Sequence, residues 1–130
     1  MAKLGFTGLA LAGCLALASC NSTGGLRLPS AFDYPEANAY VDCMVAQTRK
    51  RTLAKGRQLK NDDVLDLSVG GWTACQPIEN TFRSKARASG LSDNNMTNVI
   101  VELRTKAGDR ALDEFLRIRL AQLKAEGKIR

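Results

Sequence analysis

Histidine is absent from this chain of 130 residues. Its absence removes the Ser-His-Asp and Cys-His classes of nucleophilic catalysis and the commonest metal ligand. Aromatic residues make up only 5% of the chain, and none lies among its basic clusters. A platform for stacking nucleic-acid bases would need them there, so nucleic acid is not an expected partner. No stretch alternates apolar and polar residues as a half-buried strand does, and no internal repeat is visible. Gly24-Gly25 and Gly70-Gly71 lack the lysine and the spacing of a phosphate-binding loop. Two carboxylate pairs could act as acid and base on a glycan: Asp62 with Asp66, and Glu79 with Glu102. The first pair is the negative charge that a helix N-terminus favours, and nothing in the sequence brings the second pair together. The expectation is a protein that is not an enzyme, with no catalytic residue, no metal site and no cofactor.

Charge is missing entirely from Leu4 to Ala18, behind a short N-terminal region that carries Lys3. A membrane-spanning helix needs about 20 apolar residues. The run is shorter than that and matches the apolar core of an export signal, which takes roughly 7 to 15 residues. Leu17, Ala18, Ser19 and Cys20 follow. This stretch resembles the lipobox of bacterial lipoproteins, in which the cysteine is lipidated and becomes the new N-terminus. The resemblance covers Met1 to Cys20 and implies a signal peptide at 1–19, lipid (palmitate among the acyl chains) on Cys20, and anchoring to a membrane of the cell envelope. Leu11, Ala12, Gly13 and Cys14 form a competing match, but cleavage there leaves a minimal apolar core and an apolar LALAS on the mature chain. Asn21 is not the aspartate that, in enteric-type sorting, favours inner-membrane retention. The outer membrane, facing the periplasm, is therefore the expected address.

Removal of residues 1–19 takes away one lysine and leaves 18 basic against 13 acidic side chains, a net charge of +5. Arg49, Lys50, Arg51, Lys55, Arg57 and Lys60 place six positive charges in twelve residues with no acid among them. Such a patch can face an anionic membrane or envelope polymer. The same charges also complement the C-terminal end of a helix dipole.

Residues 20–32, rich in Gly, Ser and Pro, are expected to form a flexible tether that keeps a single helical domain, 33–130, close to its membrane. Helix one is predicted from Asp33, with Asp33 and Glu36 as a capping box and Pro35 in the first turn. Its apolar face is Ala37, Tyr40, Val41, Met44 and Val45, and it stops near Gly56. Helix two follows Asn61, with the stripe Val64, Leu67, Ser68, Gly71, Ala74, Cys75, Ile78 and Phe82. Pro77 is expected to kink or restart it. Gly70-Gly71 either weakens the helix or admits another backbone. Helix three starts at Ser92 or Asp93, with Met96, Val99, Ile100, Leu103 and Ala107 on one side. Gly108-Asp109 reads as a possible stop and new cap, so one bent helix or two remain open. Leu112, Phe115, Leu116, Leu120 and Leu123 form the clearest amphipathic stripe in the chain.

With Cys14 removed and Cys20 lipidated, Cys43 and Cys75 remain. Disulfides persist in exported domains of this size. Position 59, midway between these two, falls in the predicted turn from Gly56 to Asn61. In an antiparallel helical hairpin the two sulfurs therefore lie at the same height and are expected to bond. The predicted fold is all-α: a disulfide-linked helical hairpin plus one long or two short C-terminal helices.

The functional expectation is a membrane-anchored, non-enzymatic interaction or structural module. Its partner is an unidentified envelope protein or an anionic polymer. Candidate surfaces are the basic end of helix one and the polar face of the last helix, with Arg110, Arg117 and Arg119. The alternative is a periplasmic inhibitor or modulator of an envelope enzyme such as a cell-wall hydrolase. It would use a protruding segment at Gly70–Gln76 or Ala88–Asn95. Trp72, the sole tryptophan, is either a partner contact or a ring packed over the disulfide.

Overall fold

The computed structural model describes residues Arg27–Arg130. The expected signal peptide and the two lipidation candidates, Cys14 and Cys20, lie outside the described residues. Three long helices make up the fold: α1, Pro35–Lys55; α2, Asp63–Ala88; and α3, Asp93–Ala125. No strand occurs among the described residues.

Among the described residues, part of the expected tether holds regular structure. Ser30 Oγ accepts from the Phe32 N–H, and the Asp33 carboxylate accepts from the Ser30 N–H at 3.0 Å, closing a single 3-10 turn over Ala31–Asp33. Glu102 on α3 then accepts both Ser30 Oγ–H and the Ala31 N–H at 2.8 Å, and Ala31 is fully buried. The predicted box at Asp33–Glu36 is therefore replaced by one at Ser30–Asp33, and α1 starts at Pro35 with Tyr34 as its cap residue. The residue before a proline is pushed into extended geometry. Tyr34 is held there, at φ −114° and ψ 129°.

Gly56 ends α1 with a positive φ of 52°, a conformation that L side chains resist. A second 3-10 turn, Gly56–Gln58, leads to α2. Pro77 does not restart that helix, which runs unbroken from Asp63 to Ala88. The lost hydrogen bond falls at Thr73, and both Thr73 and Pro77 lie on the exposed face, where water can serve the freed carbonyl. Gly90 at φ 89° closes α2, and Ser92 caps α3 by accepting from the Asn95 N–H. Gly108 does not interrupt α3, which is one continuous helix of 33 residues.

Cys43 and Cys75 form the predicted disulfide between α1 and α2, with Cα atoms 5.9 Å apart. It sits in the thicker part of the core, among Tyr40, Met44, Phe82, Val99, Leu103 and Ala107. Tyr34 and Phe82 meet edge to face there, ring centres 5.4 Å apart. The glycine pair of α2 receives side chains from α1 and not a backbone: Arg51 lies over Gly70, and Met44 against Gly71. Beyond this point the core thins. Near the C-terminal ends of α1 and α3 a separate cluster contains only Leu59, Leu67 and Phe115, with Val64 half-buried beside them.

One predicted stripe is displaced. The inward face of the second half of α3 is Ala111, Glu114, Phe115 and Ile118, while Leu112, Leu116 and Leu120 are 43 to 52% exposed. Of the five residues in that stripe, Phe115 alone is buried.

Candidate interaction surface

The six cations at the end of α1 have different surroundings. Arg49 donates to Glu114 on α3 at 2.6 Å, and Lys55 donates to Asp63 at the start of α2 at 2.7 Å. Arg51 lies half-buried over Gly70. These three tie α1 to its neighbours. Lys50, Arg57 and Lys60 are exposed and, among the described residues, make no ion pair. Arg49 and Lys55 are exposed too, but their charges are engaged, so the exposed cations of the patch left without an ion-pair partner among the described residues are this trio.

Two buried carboxylates gather four arginines: Glu114 holds Arg49 and Arg117, and Glu79 holds Arg83 and Arg104. Glu114, mostly buried, is bound by Arg117 through two hydrogen bonds of 2.7 and 2.9 Å as well as by Arg49. Hydrogen bonds from Arg117, then Arg49, pull its carboxyl down to a pKa of about 2. Glu79 on α2 is held by Arg104 of α3 and by Arg83 one turn on. Burial pushes this carboxyl up, but the arginines outweigh it, and the net shift is downward. Burial, followed by the nearby Glu79 charge, raises the Tyr40 phenol on the facing helix.

Glu79 and Glu102, a conceivable acid–base pair by sequence, are therefore engaged separately. Glu79 sits between arginines, and Glu102 holds the Ser30–Ala31 turn. Asp62 and Asp66 lie in the exposed first turns of α2.

Trp72 stands on α2, 47% exposed, beside Thr73, Gln76, Glu79 and Arg104. Arg110 and Arg117 edge an open groove of about 520 Å³ between α1 and α3, where Asp42, Asp113 and Glu114 offset their charge. Arg119 reaches across to Asn61 at 3.4 Å. Gly70–Gln76, considered as a protruding loop, is helical throughout. The turn after Ala88 is tight, closed by Ser89 and Gly90 N–H groups donating to Lys85 and Arg87 carbonyls.

No protein family, curated protein or solved structure matches this chain. Sequence reasoning missed the structural roles of Glu79 and Glu114. Each is an acid one helical turn from an arginine, at i,i+4 and i,i+3, on an otherwise apolar face, and that was the available signal.

Proposed function

We propose that this protein is a lipid-anchored component of a bacterial cell envelope that acts by binding and not by catalysis. The observation that carries this reading is the stretch Leu17-Ala18-Ser19-Cys20 behind an uncharged run of fifteen residues. The Cys43–Cys75 disulfide supports export, because such bonds persist in oxidising compartments. The ion pairs narrow the candidate anionic-partner surface to Lys50, Arg57 and Lys60. These cations cluster at one end of the helices and are free to neutralise phosphate or carboxylate groups of a membrane or envelope polymer. Each contributes about 1 kcal/mol near an anionic surface.

Labelling with radioactive palmitate tests the anchor. The full chain takes up label and sediments with membranes, whereas Cys20→Ser does neither. Label that survives Cys20→Ser but is lost in Cys14→Ser moves the anchor to Cys14, and no label in any variant ends the reading. Changing Lys50, Arg57 and Lys60 together to Gln is expected to weaken retention on anionic vesicles in low salt. Unchanged retention removes the trio from the binding surface.

A further inference from the structure

Trp72 and the polar side chains around it line an open concavity of about 180 Å³ where α2 meets α3. Trp72, Thr73, Gln76 and Glu79 come from α2, and Arg104 comes from α3. Trp72 and Gln76 are four residues apart and so are neighbours on the helix surface. Cys75, between Thr73 and Gln76 in the chain, bridges to α1, and Glu79 binds Arg104 of α3 at 2.9 Å. The wall of the concavity is thereby tied to both other helices and is held in place before any ligand arrives.

The polar groups here keep hydrogen-bonding capacity. Arg104 donates from Nε and Nη2 to the Glu79 carboxylate, at 3.0 and 2.9 Å. A guanidinium has five N–H donors, so donors remain beyond that pair, and the Arg104 side chain is 54% exposed. Thr73 donates its hydroxyl hydrogen to the Val69 carbonyl at 3.2 Å and keeps its oxygen as an acceptor. The Thr73 backbone carbonyl also lacks its usual helical partner, because Pro77 has no N–H to donate. Gln76 is exposed and carries donors and an acceptor on one amide.

This lining selects the chemistry of its ligand. Its one cation and its one carboxylate, Arg104 and Glu79, answer each other. A free anion is better served by Lys50, Arg57 and Lys60. A wholly apolar ligand would strip water from four polar side chains and return no hydrogen bond. One aromatic wall beside fixed donors and acceptors suits a neutral ring with an apolar face and a rim of hydroxyls, each able to donate and to accept. A pyranose has that form. Drug-sized pockets begin at roughly 300 Å³, so the smaller volume here seats a single ring. We propose that this concavity binds one pyranose ring of an uncharged glycan, with Trp72 against its C–H face and Arg104, Gln76 and Thr73 bonding to its hydroxyls. Such a site deepens the binding role proposed above and rests on neither the lipid anchor nor the cation trio.

Trp72 is the sole tryptophan, so tryptophan emission reports this position. The full chain, in a mild detergent without a sugar headgroup, is titrated with the β-1,4-linked tetramers of glucose and of N-acetylglucosamine. At least one tetramer should change the emission saturably, with the same affinity by calorimetry. Trp72→Ala should weaken the calorimetric affinity at least about tenfold, and Gln76→Ala about three- to tenfold. Both side chains are exposed, so the helical circular dichroism should be unchanged. Changing Lys50, Arg57 and Lys60 together to Gln should leave the sugar affinity as it was. Inorganic phosphate and tetramethylammonium should not alter the emission. No saturable response to either tetramer overturns the proposal, as does a sugar affinity that survives Trp72→Ala. An equal response to phosphate or to tetramethylammonium overturns it too, because the site would then select charge. Failure of lipid labelling in the same preparation leaves it standing.

Discussion

Gly108 lies within α3, away from either end, and nothing in the fold requires a glycine there. An added methyl meets no atom within 4 Å, and its φ is not positive. Glycine in a helix interior costs about 1 kcal/mol against alanine. Gly108→Ala is therefore expected to stabilise the fold by up to that amount, seen as a higher urea midpoint at unchanged slope. Gly56 and Gly90 differ, because their positive φ values set the two turns. Glu114 couples the fold to acid. Its carboxyl ionises near pH 2 in the folded protein because Arg117 and Arg49 hold the charged form. The unfolded chain ionises this group near 4.5, the ordinary value. The stabilisation is therefore complete above about pH 4.5 and is lost as the pH falls toward 2. Glu114→Gln should lower the Tm at neutral pH by about 5 °C and flatten the acid side of the stability profile. A profile as steep as before would show that other carboxylates, with Glu79 first among them, carry the acid transition.

At the scale of elements, the hairpin of α1 and α2 rests on more than its disulfide. Lys55–Asp63 closes the turn end, Lys85–Glu36 ties the far end, and Cys43–Cys75 lies between them. The two exposed ion pairs contribute little. The bridge spans 32 positions, and in the chain-entropy account closing such a loop stabilises by about 3–4 kcal/mol. Replacing both cysteines by alanine should lower the unfolding free energy by that amount and leave the helical signal in place. A loss below about 1 kcal/mol would mean the hairpin is already ordered in the unfolded ensemble. Pro77 also belongs to this scale. It sits two residues after the bridge and two before the Glu79 ion pairs. Those tertiary ties on either side hold α2 continuous through a residue that would break it in isolation.

For the whole molecule, α1 lies against both other helices, which touch each other less extensively. Much of the apolar surface of α2 and α3 is therefore left facing outward near the thin end of the core. Sequence alone determined the class of fold, the approximate ends of the helices, and the pairing of Cys43 with Cys75. These follow from local causes: cap residues, glycines at turns, 3.6-residue periodicity and equal distance from a turn. It could not show which leucines of α3 are inside. Ala111, Leu112, Phe115, Leu116, Ile118 and Leu120 cover most of the helix circumference, so periodicity supports more than one inward face. Contact with α1 and α2 selected Ala111, Phe115 and Ile118 and left Leu112, Leu116 and Leu120 outside. Likewise, a run of six cations reads as one patch until folding brings Glu114 and Asp63 to it. Those acids lie 65 and eight residues away in the chain from Arg49 and Lys55, and only tertiary structure could divide the run into charges that hold the helices together and charges left without an ion-pair partner.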